Sequence, residues 1–100
     1  MNRIIFLLVL SFSSLQLTAQ NIKGQVIDEQ HQPLLCANVL LLTVKDSILI
    51  KGTVTNEQGH FELAAPDVPY IIKISFIGYE PCYLNNRQGN IGAIQLKTNS

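Results

Sequence analysis

The stretch TVTNEQGHFEL, residues 53–63, decides the fold of this chain. A short run of β-favouring residues is followed by Asn and Gly, which tolerate the left-handed backbone of tight turns. Phe61 and Leu63 then alternate with His60 and Glu62, as in a half-buried strand. The stretch predicts a β-hairpin that reverses at Gly59, with Phe61 and Leu63 in a core and His60 and Glu62 facing water.

The same stretch contains half of a zinc-deaminase signature. His60 and Glu62 form an H-x-E pair, and Pro81 and Cys82 follow later in the chain. The full signature needs a second cysteine three residues after the first, and it uses the glutamate as a proton shuttle. Asn85 stands where that second cysteine is required. A catalytic zinc site is therefore not predicted.

No other arrangement of residues predicts catalysis. His31 and Cys36 lie far from the H-x-E pair in sequence, and neither cysteine has a basic neighbour. The turn offers adjacent Asn56 and Glu57, whereas a calcium loop needs ligands at alternate positions. No serine lies in a Gly-x-Ser-x-Gly setting. We expect no catalytic residue, cofactor-binding residue or metal ligand, although the H-x-E pair could contact a metal loosely at the surface.

The bulk composition fits one small domain without a charged partner. The chain has 100 residues, which allows a single domain at most. It carries 7 basic and 7 acidic residues, so its formal net charge is zero. No overall field attracts nucleic acid or anionic lipid to such a chain, and neither partner is expected.

Residues 1–19 are typical of a secretory signal peptide. Arg3 precedes an unbroken apolar run at residues 4–10, and the small residue Ala19 precedes a polar start. The apolar run is shorter than the roughly 20 residues that cross a bilayer. We expect cleavage after Ala19 and export to the periplasm; an uncleaved anchor is the alternative.

The rest of the chain is a series of short β-favouring runs. Turn residues interrupt these runs every 8 to 12 residues or so, a spacing typical of a sandwich or barrel. Within the fifth run, Ile72, Ile74 and Phe76 are expected to face one side. We predict an all-β, Greek-key β-sandwich of six or seven strands, formed from the runs 22–28, 35–44, 48–55, 60–65, 70–84 and 91–97.

Three motifs together resemble a known family. They are GQVID with a proline before ANV, then GTVTNEQGHF, then ISFIGY. In this combination the chain resembles the carboxypeptidase-regulatory-like domain, a transthyretin-like (prealbumin-like) β-sandwich. The resemblance runs from about residue 23 to residue 96, and it places the domain at residues 22–97. It implies a prealbumin-like sandwich without peptidase activity of its own.

The Asp46-Ser47 pair before the GTVT strand is similar to the N-terminal extension of TonB-dependent outer-membrane receptors of Bacteroidetes-type bacteria. In those receptors the module follows the signal peptide and precedes a plug and a β-barrel. The resemblance implies a non-catalytic envelope module that contacts a receptor plug, a barrel or an energy-transducing complex, in association with the outer membrane. We expect either a truncated receptor, since the sequence ends at Ser100, or an independent module.

A free-standing, exported module that binds a ligand or glycan, or acts in adhesion, is the alternative function. Glycan binding usually calls for exposed aromatic side chains. Phe61 and Phe76 are expected in the core, which leaves Tyr70, Tyr79 and Tyr83 as candidates.

The two cysteines allow two outcomes. Cys36 follows Leu35 and lies well beyond the leader, so acylation as a lipoprotein is not predicted. In an oxidising compartment Cys36 and Cys82 could form a disulfide, which would stabilise the chain by roughly 4 kcal/mol. Two free thiols are the favoured outcome, because both positions look like ordinary apolar strand-edge sites. A Cα separation above about 7 Å would exclude the bond.

Overall fold

The computed structural model describes residues 21–99, and the predicted signal peptide lies outside these residues. The described chain forms seven strands: β1 (Asn21–Ile27), β2 (Asn38–Thr43), β3 (Leu49–Val54), β4 (His60–Ala64), β5 (Tyr70–Ser75), β6 (Cys82–Asn85) and β7 (Gly89–Gln95). It contains no helix that is long and apolar enough to cross a membrane.

The strands form two sheets. The first sheet has three strands in the order β4-β1-β7, and the second has four in the order β3-β2-β5-β6. β1 is antiparallel to β4 but parallel to β7, whereas all pairs in the second sheet are antiparallel. β4 returns beside β1 after the β2–β3 hairpin, which is the Greek-key connection. The predicted fold class is confirmed.

The core lies between the sheets and follows the alternation of the strands. In β1, Ile22 and Val26 are fully buried, while the residues between them face outward apart from Gly24. In β4, Phe61 and Leu63 are buried and their neighbours are exposed, as predicted. The buried apolar side chains are Ile22, Val26, Leu34, Ala37, Val39, Leu41, Phe61, Leu63, Tyr70, Ile72, Ile74, Ile94 and Leu96.

The predicted hairpin at residues 53–63 is wrong in its pairing. β4 pairs with β1, with Gln25 opposite His60 and Lys23 opposite Glu62, and it does not pair with β3. The chain does reverse at Gly59, whose φ is 76°. The turn therefore carries the chain from the second sheet to the first, because β3 and β4 are edge strands of different sheets.

The predicted run at residues 70–84 is two strands. β5 ends at Ser75, a turn at Ile77 and Gly78 follows, and β6 begins at Cys82. The expected bend at Gly78 is confirmed by its φ of 88°. Phe76, which was expected in the core, is only partly buried because it already lies beyond the last paired residue of β5.

The predicted run at residues 35–44 begins later than expected. A turn at Leu35 and Cys36 delays β2 until Asn38, and Cys36 has a φ of 66°. The left-handed conformation at this residue interrupts the extended backbone.

Candidate functional site

The H-x-E pair lies on the outer face of the three-stranded sheet. His60 and Glu62 are both exposed, as predicted. Glu62 accepts a hydrogen bond from the Asn21 amide, and its carboxylate lies 3.9 Å from Lys23 Nζ. More than half of each charged side chain in this pair is exposed, so the ion pair contributes little to stability.

The structure does not bring Cys82 to the H-x-E pair. Cys82 begins β6 in the other sheet and packs against the core, whereas His60 and Glu62 face away from that sheet. Within residues 21–99, no group of three or more His, Cys, Asp or Glu side chains could hold a metal ion. Our expectation that the chain has no catalytic, cofactor-binding or metal residue stays a prediction.

The Cys82 thiol is not activated as a nucleophile. Burial raises the pKa of Cys82, and the positive charge of Arg87 opposes that effect only partly. A reactive cysteine needs a lowered pKa in an electropositive, accessible position. Cys82 is therefore a partly buried thiol without the lowered pKa of a reactive cysteine.

Both cysteines are free thiols. The strand register places Cys82 opposite Ile74, and Ile74 opposite Val39. Two strand spacings of about 4.8 Å each therefore separate Cys82 from Val39, and Cys36 lies three residues further along that chain segment. This distance exceeds the limit of about 7 Å for a disulfide, so the pairing left open by the sequence is excluded in this fold.

The three candidate tyrosines do not form an aromatic platform. Tyr70 is 1% exposed, and its hydroxyl donates a hydrogen bond to the Arg87 carbonyl at 2.6 Å. Tyr79 is partly buried and packs against Phe76 with ring centroids 5.8 Å apart. Only Tyr83 is exposed among the three. Tyr70 is therefore no candidate for a binding surface, because the strand alternation turns it inward with Ile72 and Ile74.

An open depression lies over the three-stranded sheet and at its border with β3. Its volume is about 630 Å³. The outward side chains that line it are mostly hydrogen-bonding groups: Lys23, Gln25, Asn56, His60, Glu62 and Asn90. Gln25 already donates to the Gln58 carbonyl at 2.8 Å, and Asn56 Oδ1 accepts from the backbone of Gln58 and His60. The depression offers polar contacts but no activated nucleophile.

Two polar residues of the family motifs, Asp28 and Asn56, form hydrogen bonds with the backbone of the loops in which they lie. Asp28 Oδ1 accepts hydrogen bonds from the backbone amides of Gln30 and Gln32, both at 2.9 Å, so it closes the loop after β1. Asn56 performs the same role in the turn before β4. These short polar side chains fold the turns.

Thr55 is the structural residue that the sequence analysis missed. It is 2% exposed, the one buried polar residue of the described chain. Its Oγ1 accepts from the Ala37 amide at 2.8 Å and donates to the Leu34 carbonyl. Its backbone bonds Cys36 and Ala37 as well. The sequence feature that could have identified Thr55 is its position as the second threonine of the GTVT motif, two residues after Thr53.

A sequence profile of the CarboxypepD_reg-like domain matches residues 22–100. No curated protein matches the chain.

Several solved structures share the fold. A type II cohesin–X–dockerin complex from Acetivibrio cellulolyticus aligns with a TM-score of 0.60 and 16% identity, over 79% of this chain and 58% of that one. The shaft pilin SpaA of Lactobacillus rhamnosus GG aligns with a TM-score of 0.57 and 12% identity, over 86% of this chain and 50% of that one. The 3-chlorocatechol 1,2-dioxygenase of Rhodococcus opacus 1CP aligns with a TM-score of 0.55 and 12% identity, over 81% of this chain and 60% of that one.

These identities are low, so the structural likeness shows the β-sandwich fold alone. The chain also spans less than two thirds of each of these proteins. The sequence profile covers all but the first residue of the seven-stranded sandwich. This chain therefore belongs to the CarboxypepD_reg-like domain family.

Proposed function

We propose that the chain is a non-catalytic interaction module of the cell envelope, similar to the N-terminal extension of TonB-dependent receptors. One observation carries the proposal: the family profile covers residues 22–100, which is nearly everything that follows the signal-peptide-like start. In this proposal the leader directs export, and the sandwich module is what contacts the partner.

The use of the motif residues supports a binding role over a catalytic one. The backbone of neighbouring loops is hydrogen-bonded to the side chains of Asp28, Thr55 and Asn56. A catalytic site instead needs a nucleophile or an acid–base pair with partners of its own. The sheet faces and loops remain for contact with a partner.

The structural neighbours are consistent with a role in protein contact. Their names include a cohesin–dockerin complex and the major pilin subunit of Bacillus cereus, besides a dioxygenase. For this chain we propose a protein partner in the envelope, namely a receptor plug, a barrel or an energy-transducing complex. The periplasm is the proposed location.

Expression of the full chain with a C-terminal tag, in a bacterium with an outer membrane, tests the proposal. We expect the periplasmic fraction to yield a chain that begins at Gln20, and cross-linking in intact cells to attach it to an outer-membrane or periplasmic protein. The control is the same leader fused to the tag alone. Retention in the cytoplasm, or the same cross-linked proteins with the control, would overturn it.

A further inference from the structure

The outer face of the four-stranded sheet is apolar. Its first cross-strand row runs through all four strands, since Leu42 pairs with Leu49 on one side and with Ile71 on the other, and Ile71 pairs with Asn85. Leu49 is 58% exposed, and Leu42 and Ile71 are half-buried. Three large aliphatic side chains therefore lie side by side on a surface that faces solvent.

The second row extends this surface and contains a charge. Leu40 pairs with Gly52 and with Lys73, and Lys73 pairs with Tyr83. Leu40 lies across Gly52, where a Cβ atom would come within 2.7 Å of Leu40 Cδ2. Lys73 Nζ lies 5.9 Å from the centre of the Tyr83 ring, within cation–π distance. The lysine stem adds further apolar area beside its charged end.

A third row, in which two of three residues are polar, borders the apolar rows on one side. The third row consists of Val54, Asn38 and Ser75. Lys73 is thus the only charged residue in the three rows. Contiguous exposed apolar surface of this kind usually marks a contact site, whereas single exposed apolar residues need no explanation.

The edge of β3 is less suited to contact than the face. Lys51 lies opposite the buried Leu41, so its side chain starts on the inner side of an edge strand. The register of β3 also shifts between Lys51 and Leu49. Inward charges and bulges on an edge are features that oppose strand addition. At this end of the sheet, the face is therefore better suited to a partner than the edge of β3.

We infer that this face, defined by Leu40, Leu42, Leu49, Ile71, Lys73 and Tyr83, binds a protein surface that presents apolar side chains around one carboxylate. The inference rests on the proposed function and names the surface that performs it. A second copy of the chain fits less well, because the three rows contain no carboxylate that could neutralise Lys73 when two such faces stack. A carboxylate from a different partner instead neutralises the one charge that becomes buried.

Matched peptides test the charge preference directly. Three amphipathic helical peptides carry the same leucine stripe and differ at one central position, which is Glu, Gln or Lys. We expect the Glu peptide to bind the purified domain about tenfold more tightly than the Lys peptide. Lys73→Glu should reverse that order. Fluorescence anisotropy of labelled peptides measures both affinities.

Variants of exposed residues test the location. Leu42→Asp should abolish binding of the peptides. If that variant does not fold, Leu49→Asp provides the same test at a residue that is mostly exposed. His60→Ala on the opposite face is the control and should bind normally. Equal affinity for the Glu and Lys peptides, no binding of any peptide, or normal binding by Leu49→Asp would overturn the inference.

Two further measurements separate the alternatives. Sedimentation equilibrium that shows a dimer disrupted by Leu49→Asp would assign the face to a second copy and overturn the partner proposed here. In the cellular cross-linking experiment, loss of the product with His60→Ala but not with Leu49→Asp would leave the proposed function standing and overturn this surface assignment.

Discussion

The amide of Val26 donates a hydrogen bond of 2.8 Å to the carbonyl of Gly59, and the two residues lie so close that a side chain on Gly59 has no space. A Cβ atom there would lie 2.5 Å from the Val26 carbonyl oxygen. That same oxygen accepts a hydrogen bond from the Leu34 amide at 3.0 Å. Val26 thus joins the turn before β4 to the segment that precedes β2, and the close approach of Gly59 makes this arrangement possible.

Gly59→Ala should destabilise the domain more than Gly89→Ala. Both glycines have a φ of 76°, but nothing lies within 4 Å of a Cβ atom at Gly89. The left-handed conformation alone costs about 1–2 kcal/mol for alanine, and the clash at Gly59 adds about 1–3 kcal/mol. Urea unfolding of both variants measures the difference. Equal losses would show that the contact with Val26 relaxes without cost.

Thr55→Val should lower the free energy of unfolding by about 2–4 kcal/mol, because it leaves the Ala37 amide and the Leu34 carbonyl buried without their hydroxyl partner. Thr55→Ser keeps the hydroxyl and loses one methyl group, so it should cost only about 1 kcal/mol. Denaturant unfolding of the two variants provides the comparison. A valine variant as stable as the serine variant would contradict this role.

The two thiols should react separately with a thiol reagent in the folded protein. Cys36 is exposed and should react quickly, whereas Cys82 is partly buried and its raised pKa should slow it further. Air oxidation should not form a disulfide within one chain, and a reducing agent should not lower the stability of the monomer. An intramolecular disulfide found by mass spectrometry would contradict the register of β2, β5 and β6.

Stability should fall at alkaline pH through Tyr70. Burial raises the pKa of Tyr70, an effect that a hydrogen bond with Gln88 reduces. The unfolded chain therefore loses this proton first, near pH 10, and the free energy of unfolding declines as pH rises from there towards the folded-state pKa. Tyr70→Phe should be less stable than the unmodified chain at pH 7, since it loses the bond to Arg87.

The difference in the free energy of unfolding between Tyr70→Phe and the unmodified chain should become smaller above pH 10, because phenylalanine has no proton to lose. Thermal unfolding across pH 7 to 11 or so follows this change. Tyr83→Phe, which removes a hydroxyl group from an exposed ring, is the matched control for this substitution. A constant gap for Tyr70→Phe would contradict the effect of burial on this hydroxyl.

Local alternation in the sequence predicted the strands and their buried sides well. Phe61 and Leu63 face the core and His60 faces water because a strand's period of two is a local property. Pairing between strands is not local. Nothing in residues 53–63 reveals that β4 hydrogen-bonds to β1, since that choice depends on how the whole sandwich closes.

The errors about the candidate site have the same origin. Tyr70 was one of three candidate tyrosines for a binding surface, but its strand position turns it inward beside Ile72. Thr55 was overlooked because its partners, Leu34 and Ala37, lie far back in the chain. The apolar outer face likewise emerges only when β2, β3, β5 and β6 are placed side by side.

The parallel pairing of β1 with β7 has a consequence for how the chain acquires its structure. Val26, near the beginning of the domain, pairs with Ile94, near its end. Pairings of such long sequence separation form slowly, because a large loop must close before any contact compensates for it. If the chain is threaded through a membrane from its N-terminus, β1 emerges long before either neighbour. Once β4 has emerged and paired with β1, the edge of β1 that β7 covers stays open until the final strand is delivered.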